Sequence, residues 1–411
     1  MSKPDARAVA LRTLARIDTE GAYANLALRH ELDRGGLTPR DRAFTTELVY
    51  GTTRLRRRLD HVIDRFLLRT IDPPVRAALR LGAYQLHELG TPPHAAVSAT
   101  VDAVTDRRVR GFVNAVLRKV AGAPVKRDAW PSDAVRLSYP DWIVERLAAD
   151  LGVGPAIAAL EAMNEAASAT ERDDGYTQDL ASQWVAELVG ARPGERVADL
   201  CAAPGGKATA LAATGATVMA VDLRPGRVGL IAANVDRLAR LAARRLDADD
   251  ADDADDGASS LPPPPLDDRP SSRADAPAAA GQVHVLAADA LAAPFRAGTF
   301  DRVLLDAPCS GLGTLRRRAD ARWRITPDAV DRLAELQCRM LPAAADLLRP
   351  GGTLVYSVCT LTSAEGPDAA ATVDLEPVEA PGEPWARWGT GASLLPQYAG
   401  TDGMFLARWT R

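Results

Sequence analysis

Four cysteines and a series of carboxylates carry the chemistry this sequence could perform. Cys201, Cys309, Cys338 and Cys359 are spread along 411 residues. No pair has CxxC spacing, and His284 is the only histidine after residue 94. A zinc site built from His and Cys in the C-terminal half is therefore not expected, and the cysteines read as thiols, not as a disulfide framework. Cys309 lies in DAPC and Cys359 in YSVCT, each just past a short apolar run. A thiol so placed is a nucleophile once ionised. Cys338, in LAELQCRML, falls mid-helix and reads as filler, and Cys201 reads as a small buried thiol.

The carboxylates share a position. Asp199, Asp222, Asp289 and Asp306 each follow an apolar run that reads as a strand. Any one of them could cap a helix or form a turn. Four at equivalent positions point to a ligand cleft, because open α/β sheets bind ligands at the carboxyl ends of their strands. The segment VADLCAAPGGKATALA (197–212) supplies a strand, a small-residue loop and a helix start. Gly205 and Gly206 allow positive φ and close approach of a ligand to the backbone. Asp222 is placed to accept from both hydroxyls of a ribose, and Asp289 to contact an adenine. Ala208 follows Lys207, so no Walker GK[ST] is present and a nucleoside triphosphate is disfavoured.

These residues need a scaffold, and the hydrophobic pattern predicts one in two parts. Residues 5–122 read as successive helices, with 4,3 spacing at Ala10, Leu14 and Ile17, at Leu55, Leu59, Val62 and Phe66, and at Val109, Val113, Val116 and Val120. Thr38-Pro39 opens one helix, which Gly51 is expected to close, and Pro73-Pro74 opens another. Residues 126–175 form a connector with helical pieces around 142–151 and 156–167. From 176 onward, strands at Val197–Leu200, Val218–Asp222, Val283–Leu286, Arg302–Asp306 and Thr353–Ser357 alternate with helices. That order predicts an α/β domain with a mostly parallel sheet and helices on both faces. Adjacent strands then bring Cys309 and Cys359 to one cleft.

Charge is distributed unevenly. Residues 1–130 hold 23 Lys and Arg against 14 Asp and Glu, a net +9, which suggests a polyanion partner or a solvated helical surface. Residues 247–281 hold ten Asp and two Arg, a net −8, in a Pro-rich stretch without apolar periodicity. That stretch is expected to be a disordered insertion. No apolar run approaches the roughly 20 residues of a membrane helix, and the N-terminus interleaves Arg with its apolar residues, so a cytoplasmic location is expected.

Several stretches make the sequence resemble the RsmB/Sun family of RNA cytosine-C5 methyltransferases. They are YTQDLASQ (176–183), DLCAAPGGK (199–207), AVDLRPGR (220–227), DRVLLDAPCSGLGTLRRRADARW (301–323), GGTLVYSVCTLTSAE (351–365) and DGMFLARW (402–409), in the family's order. DRAFTTELVYGTTR (41–54), IDPPVRAALRLGAYQL (71–86) and RGFVNAVLRKV (110–120) resemble the NusB-type helical domain that this family carries. After Glu365 the chain departs from the pattern, with Ala364-Glu365-Gly366 where two acids and an Asn are usual.

The resemblance implies a NusB-like all-α RNA-binding domain over 1–125, the connector over 126–175, and a Rossmann-like class I methyltransferase domain over 176–411. It implies S-adenosylmethionine as cofactor, held by Cys201, Ala202, Ala203, Pro204, Gly205, Gly206, Lys207, Asp222, Asp289 and Asp306. It implies methylation of a cytidine in 16S ribosomal RNA by a monomeric enzyme that needs no metal. Cys359 takes the role of nucleophile, Cys309 assists elimination, and Asp306 contacts the base. The chemistry is self-consistent. Carbon 5 of cytosine becomes nucleophilic once a thiolate adds to carbon 6, and a base must later remove the carbon-5 proton. DNA cytosine methyltransferases use the Cys of the Pro-Cys motif as nucleophile, so exchanged roles for Cys309 and Cys359 stay open. A transfer-RNA cytosine methyltransferase and a non-catalytic RNA-binding assembly or antitermination factor are the alternatives. The helical N-terminal part speaks against the first, and the intact cysteine motifs against the second. A zinc deaminase is rejected because Leu312 stands where its second Cys belongs. Trp323 and Arg316–Arg318 could stack on bases and contact phosphates, and Trp323 could equally be a core anchor.

Overall fold

The computed structural model describes residues 5–123, 130–168, 170–255 and 281–411. Its backbone divides into two compact units. One comprises Met1–Ala166 with Thr314–Pro327, the other Ala167–Gly313 with Asp328–Arg411. These boundaries differ from the expected ones in two ways. The connector packs as part of the helical unit as far as Ala166, and a segment from within the methyltransferase sequence belongs to that unit as well.

The helical unit starts with α1 (Ala6–Thr19), α2 (Ala24–Arg34), α3 (Pro39–Arg54), α4 (Arg56–Asp64), α5 (Pro73–His87), α6 (Pro93–Ala103) and α7 (Arg107–Gly122). Asp5, Thr38 and Asp106 cap α1, α3 and α7 with side-chain oxygens, satisfying amides the helices cannot. The apolar residues at helical spacing form a single core that includes Leu14, Leu48, Leu59, Leu81 and Leu117. Gly51 does not end α3, which runs on to Arg54. A Cβ there would lie 2.0 Å from the Tyr84 ring, so the glycine serves a close approach of α3 to α5. The connector adds α8 (Asp133–Leu137), α9 (Asp141–Leu151) and α10 (Val153–Ala162). α10 stops short of the expected 167. The Asn164 amide then donates to the Leu137 carbonyl at 2.7 Å.

Arg322 explains why 314–327 belongs here. Its side chain is fully buried, lies 4.0 Å from the centre of the Tyr139 ring, and donates to Asn164 Oδ1 at 2.8 Å. Carbonyls of Arg54, Ser138, Met163 and Leu315 lie within 3.4 Å as further acceptors. Burial depresses its pKa to about 10. A buried guanidinium surrounded by carbonyls is tolerated only because nearly every N–H finds an acceptor.

The second unit is a sheet wrapped by helices. α11 (Leu180–Val189) precedes β1 (Arg196–Asp199), α12 (Gly206–Ala213), β2 (Thr217–Asp222), α13 (Pro225–Asp255), β3 (Val283–Ala287), β4 (Phe300–Asp306), α14 (Pro327–Asp346) and β5 (Leu348–Val358). β6 (Glu376–Pro377), β7 (Ala386–Trp388), β8 (Gly391–Leu394) and β9 (Met404–Thr410) complete it. The sheet runs β3-β2-β1-β4-β5-β9-β8-β7, with the first five strands parallel and β9 antiparallel to β5. β6 pairs with β9 beside this path. Side chains alternate between two cores. Val197, Leu304 and Val355 join the residues of α11 and α12, whereas Ala198, Leu305 and Tyr356 join those of α14. Both faces are therefore covered, as a parallel sheet requires.

α13 corrects the expected insertion at its near end. Residues 247–255 continue the helix. Residues 256–280 of the insertion lie outside the described residues. Among the described residues, no helix is long and apolar enough to cross a membrane.

Replacing Arg322 by Met should strand several buried carbonyls and the Asn164 amide oxygen. The helical unit should lose about 2–4 kcal/mol, read as a lower urea midpoint for its unfolding transition. An unchanged midpoint would show that the guanidinium is not what holds 314–327 in place.

Candidate active site

The parallel strands end on one edge of the sheet, and the predicted residues collect there. Asp199, Asp222 and Asp306 are the last residues of β1, β2 and β4. Cys309 and Cys359 follow β4 and β5. β3 ends at Ala287, two positions before Asp289, which is exposed and accepts from the Leu291 amide at 2.9 Å as the cap of a short 3₁₀ turn.

The loop between β1 and α12 has two different glycines. Gly205 takes φ +105°, a backbone only glycine adopts readily, and its amide donates to the Ala202 carbonyl at 2.7 Å. Gly206 has no positive φ, contrary to expectation. A Cβ on it would lie 2.8 Å from the Tyr176 ring, so packing makes the residue a glycine. Ala202 is tied to β2 through the Val221 carbonyl, and Ala203 donates to Asp222 at 3.3 Å. Asp222 also accepts from the Arg224 amide and lies 3.3 Å from Arg227. Its carboxylate is thereby fixed beside the loop that carries Pro204. Cys201 sits in the same loop, and burial, followed by the charge of Asp199, pushes its thiol far up. It is not a source of thiolate.

Lys207 is the polar centre. Its ammonium donates to Asp306 at 2.7 Å, and the Ser357 hydroxyl donates to the other oxygen of that carboxylate at 2.7 Å. Burial works against the lysine's charge, but Asp306 more than restores it, and Asp199 and Cys359 add to the effect. Asp199 is 1 % exposed, and among the described residues neither oxygen makes a hydrogen bond of good geometry. Burial, with the charge of Asp306 second, pushes its pKa up to about 7.

The two thiols meet. Cys309 Sγ and Cys359 Sγ are 3.2 Å apart. The contact with Cys359 and then burial raise the Cys309 thiol well above its ordinary range. A buried carboxylate that the sequence did not single out joins the two loops. Glu365, fully buried, accepts from the Ser310 amide and hydroxyl at 2.7 and 2.6 Å and from the Thr360 and Thr362 hydroxyls at 2.8 and 3.0 Å. Ser310 and Thr360 are the chain neighbours of Cys309 and Cys359. The Gly313 amide also donates to the Cys359 carbonyl at 3.0 Å, and buried Gln337 to that of Pro308 at 2.9 Å. The sequence signal for this clamp was an acid six residues after Cys359 in a run of Thr and Ser.

Trp323 and Arg316 lie in the helical unit's segment. Trp323 is partly buried and donates to the Thr53 carbonyl at 2.8 Å. Arg316 is buried, which removes it from the expected phosphate contacts, while Arg317 and Arg318 are exposed. Cys338 is partly buried on α14 and packs beside the core, as filler would. Among the described residues no group of three or more His, Cys, Asp or Glu could hold a metal ion.

Comparison with protein families matches residues 4–122 to the NusB family, and residues 186–260 and 278–410 to the family described as 16S rRNA methyltransferase RsmB/F. The chain belongs to the RsmB/F family. The ribosomal RNA small subunit methyltransferase B of Thermus thermophilus is 35 % identical, with 98 % of this chain and 97 % of that protein covered. The enzyme of the same description from Pseudomonas putida is 31 % identical over 98 % and 97 %. The crystal structure of PH0851 shares the fold, with a TM-score of 0.72 over 99 % of both chains at 19 % identity. The NusB helical domain and the mostly parallel methyltransferase sheet are thus both present.

Asp199 gives the site a pH signature. An unfolded aspartate titrates near about 3.9, so between about pH 4 and pH 7 the folded chain holds a proton that the unfolded chain releases. The stability this contributes is full below about pH 4 and is lost as pH rises through about 7, with a slope of at most about 1.4 kcal/mol per pH unit. Asp199→Asn should flatten the fall of the thermal midpoint over that window. An equally steep fall in the variant would assign the titration to another group.

Proposed function

We propose that this protein transfers a methyl group from S-adenosylmethionine to carbon 5 of a cytidine in 16S ribosomal RNA, with Cys359 as covalent nucleophile. The observation that carries the reading is the pair of thiols 3.2 Å apart beside the Lys207–Asp306 ion pair.

The cofactor suits the residues present. Asp199 is a buried carboxylate in need of a donor, and the cofactor's ammonium group is one. Asp222 would take the ribose hydroxyls, Asp289 the adenine end, and the backbone from Cys201 to Lys207 the remainder. When bound, the sulfonium supplies an electrophilic methyl group.

The remaining chemistry belongs to the chain. Cys359 adds to carbon 6 of the base, and the Lys207 ammonium is the cation able to stabilise negative charge at that sulfur. The proton the Cys359 thiol loses ends at N3, where Asp306 accepts the hydrogen bond of the N3–H so formed, while Lys207 and Ser357 hold both its oxygens from behind. Addition makes carbon 5 a nucleophile. After methylation a proton must leave carbon 5 before the Cys359–carbon 6 bond can break. Water takes that proton, and Cys309, whose thiol is raised and lies 3.2 Å from Cys359 Sγ, is placed to give its proton to the departing sulfur, a role that fits it better than that of nucleophile. The base must be unstacked to reach the thiols, at a cost of a few kcal/mol, which is least in a loop or bulge.

Cys359→Ala should abolish methyl transfer to ribosomal RNA, at least 10³-fold as for loss of a covalent nucleophile, while cofactor binding by calorimetry persists. Turnover in that variant would remove the assignment. Cys309→Ala should instead accumulate a protein–RNA adduct that survives denaturant and migrates slowly in gels. If that variant turns over without adduct, the elimination role is wrong. Bisulfite sequencing of ribosomal RNA from a deletion strain identifies the cytidine.

A further inference from the structure

A cavity of about 160 Å³ opens in the helical unit among α1, α3, the start of α4, α5 and the 314–327 segment. Its walls contain two unsatisfied groups. The hydroxyls of Thr52 and Thr53 are buried and have no hydrogen-bond partner among the described residues, although these residues are only 1 % and 5 % exposed. A helical threonine ordinarily donates to the carbonyl four residues back. Thr45 and Thr46 of the same helix do so, at 2.8 and 2.9 Å. Thr52 and Thr53 line the cavity and make no such bond, and a buried unpaired hydroxyl costs free energy unless something else satisfies it.

The remaining lining defines what could. Arg56 reaches in with its guanidinium 5.7 Å from the centre of the Trp323 ring, and its ion pair with Asp18 is long, at 3.7 Å. Asp18 gives its other oxygen to Arg80 at 2.8 Å, and Asp320 pairs with Arg324 at 3.0 Å. Two carboxylates therefore face the same space as the arginines, which disfavours a phosphate. Leu14, Ile17 and Ala77 add apolar surface. A small neutral group with both donors and acceptors on its edge and flat apolar faces matches this lining, and a nucleobase is such a group. Outside it, Arg324 lies 4.4 Å from the centre of the Tyr23 ring, which is 59 % exposed and available for stacking.

We propose that this cavity takes one unstacked nucleobase of the substrate RNA, read by Thr52, Thr53 and Arg56, with the adjoining nucleotide on the Tyr23–Arg324 platform. The proposal rests on the RNA-substrate reading above. It adds a contact for an RNA base other than the methylated one, in a pocket shared by the NusB helices and a segment of methyltransferase sequence.

The full-length protein is titrated with a mixed-sequence single-stranded oligoribonucleotide of about 12 nucleotides, by fluorescence anisotropy at several salt concentrations. The double substitution Thr52→Val and Thr53→Val removes the hydroxyls at nearly constant shape. It should weaken binding about tenfold with an unchanged salt slope, because no phosphate contact is lost. Arg56→Gln, on a partly exposed side chain, should give a comparable loss with the same slope. Unchanged affinity in both variants would leave the cavity to water and overturn the proposal. A salt slope lowered by about one would make it a phosphate site and equally overturn it. Wild-type protein that binds no RNA would instead sink the RNA-substrate reading itself.

Discussion

The site depends first on Glu365. Its buried carboxylate collects donors from both thiol-bearing loops, and no single loop could satisfy it. A buried carboxylate without such donors would be prohibitively costly, so the two loops are obliged to stay together. The 3.2 Å contact between Cys309 and Cys359 follows from that obligation. The neighbouring Tyr356 hydroxyl donates to the Glu365 carbonyl at 2.6 Å, which fixes the backbone as well as the carboxylate. The short α-turn that follows, Pro367–Ala370, is what remains where the sequence departs from its family. Glu365 is the acid that the departing triplet Ala364-Glu365-Gly366 retains, and its clamp is intact.

Around the thiols the charges are unbalanced in a useful way. Three aspartates end neighbouring strands, and Lys207 is the cation that faces Asp306, Asp199 and Cys359. Asp306 takes the direct ion pair, which leaves Asp199 buried without one of its own. An unmatched buried acid is unstable as an anion until a donor arrives, so the site is electrostatically prepared for a cationic ligand. That preparation is consistent with a sulfonium donor carrying its own ammonium group.

The division of the chain follows packing and not sequence order. The segment after Gly313 leaves the sheet unit and buries Arg322 among carbonyls of the helical unit before α14 resumes the methyltransferase sequence. The cysteine motif and the helical unit are therefore adjacent along the chain, with Gly313 bonded to the Cys359 carbonyl and Thr314 already in the other unit.

Much of this was legible in the residues. Alternating apolar runs located the five parallel strands, because a sheet covered on both faces needs apolar side chains on each. Aspartates at the strand ends, the glycine-rich loop and the two cysteine motifs marked one edge of the sheet, where the structure brings them together, since topology alone collects strand ends. The sequence could not say which partner each charged group would choose. Lys207 pairing with Asp306, Glu365 joining Ser310 to Thr360, and Gly206 yielding to Tyr176 are contacts between distant positions. They are set by how elements pack, and no local pattern encodes them. Gly51 makes the same point: its type suggested a helix end, but the Tyr84 ring on α5 decided its purpose. Local chemistry determined the strands, the helices and the reactive side chains, whereas burial and long-range hydrogen bonding decided which of those side chains meet and in what charge state.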